Sequence, residues 1–204
     1  MATRGRPRAF DRDKALRAAL DVFRERGYEG TTLPDLQKAM GGLAPPSFYA
    51  AFKSKEDLFV EALELYRDSM GSRPARALES GATTRAAIEA LLNEAVGVFA
   101  ARGEPKGCLV ILGTMNIASP SIRAKLEPMR RALPMLLEAR IKKGIKDGDV
   151  PKGANVAAIV SFYTTIVHGI ALRARDNATR DDLAATVHGA MSAWTPLVTA
   201  KTRK

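Results

Sequence analysis

Between residues 32 and 55 the chain places Thr32, Ser47, Tyr49, Lys53 and Lys55, with Asp35 as the only carboxylate in that stretch. Hydroxyls and ammoniums of this kind donate to phosphate oxygens, while Pro45, Pro46 and Ala50 offer the apolar contact that thymine methyls accept. Ahead of them stand Arg4, Arg6 and Arg8, spaced as an arm whose guanidiniums can enter a narrow minor groove. Chemistry that makes or breaks bonds is poorly provided for. There are two histidines and one cysteine, and no phosphate loop, GxSxG, HExxH or CxxC. These residues suit holding a polyanion better than transforming a substrate, so we expect no enzyme, no metal and no cofactor.

Composition agrees. Thirty-two Lys and Arg against 22 Asp and Glu leave a net charge of +10, which favours nucleic acid as partner. The excess is spread along the chain and does not itself mark a site. With 46% hydrophobic and 26% charged residues, 204 residues can build an ordinary core without disulfides. The single Cys108 cannot form an intramolecular disulfide, and the arginine-rich start lacks the apolar middle of a secretion signal. A cytoplasmic location is expected.

The elements that must position these groups read as helices throughout. Asp11 caps a first helix with Leu16, Ala19, Leu20 and Phe23 on one face, stopped by Gly27. Thr32 and Asp35 have capping-box spacing and open a short helix that Gly41 and Gly42 end. Pro45 and Pro46 start another, buried through Phe48 and Phe52, and Ser54 caps a fourth. Polar residues around 71–84 separate this part from longer helices expected near 84–102, 107–117, 121–146, 154–172 and 179–194. Residues 154–172 carry no formal charge, and that length could span a bilayer. Asn155, Ser161, Tyr163, Thr164, Thr165 and His168 interrupt the run, so a helix buried in protein is expected instead, with no membrane.

Two short helices joined by a glycine turn behind a longer one have the outline of a helix-turn-helix, in which one helix enters the major groove and another fixes its angle. The stretch ALRAALDVFRERGYEGTTLPDLQKAMGG, followed by SFYAAFKSKEDLF, resembles the N-terminal domain of the TetR family of transcriptional regulators over residues 15–59. Phe23, Gly27, Tyr28, Thr31, Thr32, Leu36, Ala39, Gly41, Tyr49, Phe52, Lys55 and Leu58 fall where that motif has the same or similar residues. The resemblance implies an all-α fold: a three-helix head at 11–56 behind a basic arm at 1–10, joined by a linking helix to a helical-bundle regulatory domain at 57–204. It implies an operator of double-stranded DNA, a homodimer, a small-molecule effector and a repressor released by it. The alternative is a weakly specific architectural DNA binder. Thr32, Tyr49, Lys53 and Lys55 match the family's phosphate-contacting positions, and the Ser54-capped helix start is an expected anion site.

Three departures stand out. The turn around Gly42 is one residue longer than the family's, Gln37 replaces a small alanine, and Ala44 replaces a hydroxyl cap. A larger Gln37 is expected to push the helices apart, with the added residue spanning the gap. In the regulatory half, Phe99, Cys108, Leu112, Met115, Asn116, Met135, Phe162, Tyr163 and Ile166 are the candidates for an effector pocket, mixing adaptable apolar groups with a few polar ones. Tyr163, Ile166, Ile170, Val187, Met191 and Trp194 could serve either a dimer interface or the chain's own core.

Overall fold

The computed structural model describes residues 11–115 and 117–199. Arg4, Arg6, Arg8 and Asn116 therefore lie outside the described residues. The described chain is helical: α1 (Arg12–Arg26), α2 (Leu33–Ala39), α3 (Pro45–Phe52), α4 (Lys55–Tyr66), α5 (Arg73–Arg76), α6 (Thr84–Phe99), α7 (Leu109–Leu112), α8 (Pro120–Asp147), α9 (Val156–Arg175), α10 (Arg180–Ser192) and α11 (Trp194–Thr199).

Each early helix starts where its cap lies. Asp11 accepts from the Lys14 N–H at 3.0 Å, and α1 ends at Gly27, whose positive φ of 71° lets its N–H reach Phe23 O. Thr32 and Asp35 close a reciprocal capping box, and Ser54 accepts from Asp57 N–H. As expected, α3 has no side-chain cap and starts on two prolines. These helices meet over Phe23, Leu36, Phe48, Phe52, Leu58 and Phe59, all fully buried, with Phe23 edge-on to Phe59 at 4.9 Å. Burying each such side chain contributes about 1.5–3 kcal/mol.

Two stretches differ from the sequence reading. The polar connection after α4 is more structured than expected: a π-helical turn, α5 and a 3-10 turn bury Pro74 and Leu78. Residues 107–117 were expected to form one buried helix, yet only the single turn of α7 forms. Competing partners explain its shortness. Thr114 Oγ1 and Arg130 take Val110 O, Arg130 also takes Thr114 O, and Tyr28 N–H takes Gly113 O, so these carbonyls serve side chains and another segment.

The second core lies between α6, α8, α9 and α10, around Ile88, Leu91, Leu137, Ile141, Ile159 and Leu183. Of the six residues weighed for a dimer interface, Tyr163, Ile170, Val187, Met191 and Trp194 belong to this intrachain core, and Ile166 is half-buried. Tyr163 explains the direction: its hydroxyl donates to Ala190 O at 3.2 Å, turning this face of α9 onto α10. Among the described residues α9 alone is long and apolar enough to cross a membrane, and it packs here on α6, α8 and α10.

Candidate nucleic-acid interface and adjoining cavity

Helix α3 buries Phe48 and Phe52 and turns Pro45, Pro46, Ser47, Tyr49 and Ala50 outward, Tyr49 being half exposed. The period of the helix dictates this split, since 48 and 52 lie one turn apart on the same side. Arg12 braces the helix from behind. Its guanidinium donates to Ala51 O at 3.3 Å, pairs with both Glu61 oxygens at 2.7–2.8 Å and stands 4.7 Å over the Phe52 ring. An end carbonyl of α3 and its buried ring are thus tied to α4.

The lengthened turn is closed by backbone geometry. Gln37 O accepts from Gly42 N–H at 2.9 Å and from Leu43 N–H at 3.1 Å, with Gly41 and Gly42 at φ 82° and 80°. Two successive left-handed residues suit glycine and strain any other side chain. Gln37 itself is half-buried, while Leu36 beside it fills the core.

The remaining candidates sit around α3 with unequal freedom. Lys53 is exposed at the end of α3, in a left-handed conformation at φ 61°. Lys55 folds inward, its Nζ 4.2 Å over the Tyr28 ring, and burial lowers its pKa against the nearby charge of Glu29. Thr32 is exposed, but its hydroxyl donates to Asp35 Oδ2 at 2.6 Å and its N–H to the same oxygen at 3.0 Å. Both of its donors are occupied within the capping box. The start of α4 likewise already holds Glu56 and Asp57, with Ser54 Oγ donating to Asp57 Oδ2, so the chain's own carboxylates answer that helix dipole.

Beneath α4 a cavity of about 150 Å³ opens between α4, α5, α7, α8 and α9. Tyr66, Pro74, Phe99, Cys108 and Val167 form its buried side; Arg67, Arg130 and His168 stand at its exposed rim. Of the pocket candidates, Phe99 and Cys108 line it. Leu112, Met115, Met135, Phe162, Tyr163 and Ile166 do not: Met115 and Met135 are largely exposed, Tyr163 belongs to the core, and Phe162 stacks edge-on against Tyr163 at 5.1 Å. Sequence reasoning missed Tyr66, Arg130 and Val110, and took His168 for a core residue. Only the buried stripe of α4 hinted at Tyr66.

The buried side of the lining is uncharged. Burial raises the Tyr66 hydroxyl well above its ordinary value and raises the Cys108 thiol too, so both stay neutral. Burial, helped by the charge of Arg130, lowers the pKa of His168. Arg67 pairs with Asp68 at 2.8 Å and Arg130 with Thr114 O at 2.8 Å.

The wall of this cavity is joined to the head. The backbone of α7 runs to Gly113, whose carbonyl accepts from Tyr28 N–H at 3.0 Å. Glu29 accepts from Ala118 N–H at 3.0 Å, Glu56 from Ser119 Oγ at 3.1 Å, and Arg175 at the end of α9 donates to the carbonyls of Arg24 and Glu25. These bonds tie the segment around α7 and the end of α9 to the last turn of α1 and the loop before α2.

A family model described as bacterial regulatory proteins, tetR family, matches residues 15–62. Over 203 residues the chain is 29% identical to the HTH-type transcriptional repressor ComR of Escherichia coli, covering 96% of this chain and 94% of ComR. It is 26% identical to the repressor BdcR of the same organism, over 89% of this chain and 88% of BdcR. Among solved structures, the TetR family transcriptional regulator CifR, a cysteine mutant complexed with 26 bp double-strand operator DNA, superposes with a TM-score of 0.84. It shares 40% identity over 93% of this chain and all of CifR.

Proposed function

This chain belongs to the TetR family of bacterial regulatory proteins, and from that premise we propose that it is a sequence-specific DNA-binding transcriptional repressor, released from its operator by a small molecule. The observation that carries the reading is α3, which turns Ser47, Tyr49 and Ala50 outward while buried Phe48 and Phe52 and the Arg12 contact to Ala51 O tie it to the core. ComR and BdcR are named as repressors, and the CifR structure holds operator DNA, which supports the same role here.

A helix of this width fits a major groove about 12 Å across. A homodimer formed through the uncovered faces of α9 and α10 presents two such helices to successive grooves about 34 Å apart. Ser47 reads a base edge or phosphate, Ala50 and the prolines meet methyl groups, and Tyr49 and Lys53 hold the backbone, with Arg4, Arg6 and Arg8 in the adjacent minor groove. Since α3 has no Arg, Lys, Asn or Gln, part of the specificity rests on DNA shape. The head is 11–56 and the regulatory unit 57–204. An occupant of the cavity pushes on α7 and α4, and the Gly113–Tyr28 and Arg175–Arg24 links turn that push into a head spacing that no longer matches the grooves. The protein acts as a regulator without catalysis, in the cytoplasm where the chromosome lies.

Selection of bound sites from a random DNA pool tests this. The expected product is a two-fold symmetric sequence bound at least a thousandfold more tightly than random DNA, in keeping with about 10³–10⁷ for specific binders. Affinity for random DNA within a few-fold of the best site supports the architectural alternative instead.

A further inference from the structure

We propose that the cavity beneath α4 takes a neutral molecule about the size of one aromatic ring, offering a single oxygen as hydrogen-bond acceptor to the Tyr66 hydroxyl. The proposal rests on the reading of this cavity as the effector site and names the class of effector.

Size comes first. The cavity measures about 150 Å³, the volume at which an apolar cavity in a protein holds benzene. That space seats one ring, and any longer molecule must leave through the open rim between Arg67, Arg130 and His168. Its walls include Pro74, Phe99, Val110, Met129 and Val167, so the body of the ligand must be apolar.

Polarity comes second. Tyr66 is fully buried, lines the cavity, and its hydroxyl finds no hydrogen-bond partner among the described residues. The Cys108 thiol and the Leu109 backbone N–H lie beside it, close enough to perturb it, and neither meets it with the geometry of an ordinary hydrogen bond. A buried donor left unmade costs the protein its desolvation, so a ligand that supplies one acceptor relieves a cost the fold carries. Protonated phenol and thiol both donate, and neither carries charge.

Charge comes third. The rim cations face oxygens of the chain itself: Arg67 is held by Asp68, and Arg130 by the carbonyl and hydroxyl of Thr114. Asp68 neutralises Arg67, and Arg130 keeps its charge at the exposed rim, so a carboxylate seated beside Tyr66 would lose its water among apolar walls with both guanidiniums outside, which disfavours an anion there.

Calorimetric titration with acetophenone, toluene and benzoate tests this, run beside anisotropy of a labelled operator obtained by site selection. Acetophenone is expected to bind about five- to tenfold more tightly than toluene, the worth of one net hydrogen bond, and benzoate more weakly than either. Tyr66→Phe should keep its fold and its toluene affinity while losing the preference for acetophenone. Ala75→Leu, which fills the cavity, should abolish binding of all three with the melting temperature preserved. Benzoate binding most tightly, an unchanged preference in Tyr66→Phe, binding that survives Ala75→Leu, or no binding of acetophenone at millimolar concentration overturns the proposal. Acetophenone binding without operator release upholds the ligand class and removes the effector reading. Release by benzoate alone does the opposite.

Discussion

Arg24 is buried in α1, yet its Nη1 donates to Glu104 Oε2 at 2.7 Å, joining the head to the loop after α6. The other arm of the guanidinium donates to Pro105 O at 2.7 Å, and Asp21 stands 3.8 Å away. A cation this deeply placed depends on its partners, because removing one leaves charge buried without compensation.

Glu104→Ala is therefore expected to destabilise the protein by about 1–3 kcal/mol, less than for a fully buried pair because Glu104 is half exposed. Arg24→Met added to Glu104→Ala should recover most of that loss, since a methionine needs no partner in the same space. Urea midpoints of the three proteins at neutral pH decide it. A double variant as unstable as Glu104→Ala alone would show that the cost lies elsewhere.

The capping boxes make an acid-sensitive prediction. The Thr32 hydroxyl and backbone N–H, with Arg26 after them, hold the Asp35 carboxyl below its ordinary value of 3.8, and Thr179 does the same for Asp182. A depressed native pKa contributes stability that is complete above 3.8 and lost as the pH falls below it toward the native value. Asp35→Asn and Asp182→Asn together should flatten the acid limb of stability against pH, measured by urea midpoints from neutral pH down to about pH 2.5. Curves that run parallel to the parent would refute the assignment.

How far the sequence carried the fold depends on the range of the interactions. Caps and glycine stops are local, so α1 to α4 were legible to within a residue or two: Asp11, Thr32, Ser54 and Gly27 act within a few positions of themselves. The single turn of α7 was not legible, because Tyr28 and Arg130, distant in sequence, take the carbonyls a longer helix would have used. The same holds for the sites. An exposed Ser47 follows from helical period alone, but Thr32 loses its donors to Asp35, and Tyr66 meets Cys108 only through packing of α4 on α7.

On α3, Ser47 and Tyr49 should fail differently. Tyr49 packs its ring edge-on to Phe48 at 5.4 Å and is half exposed, as a backbone contact requires. Tyr49→Phe is expected to weaken binding to every sequence about equally, by roughly five- to tenfold, whereas Ser47→Ala should relax preference at one base position by about 1 kcal/mol or more. Anisotropy on the selected operator and its single-base variants distinguishes them, and the reverse pattern would exchange their roles.

The uncovered faces of α9 and α10 carry the last prediction. Only 28% of the most apolar stretch of α9 is buried, and Leu172 is half exposed. Within this same surface, no neighbouring described atom lies within 4 Å of where a Cβ would stand on Gly169 or Gly189. Small residues on adjacent helices let a second copy approach closely, and we therefore propose that the dimer face is centred near these two glycines. Within one chain Gly169→Leu meets empty space and gains about 0.5–1 kcal/mol of helix propensity, so the fold should be kept or improved. Against a partner helix the same side chain collides. Sedimentation should then report a folded monomer, and affinity for the two-half-site operator should fall to that of a single half-site. A Gly169→Leu protein that still sediments as a dimer would place the interface on another face of the molecule.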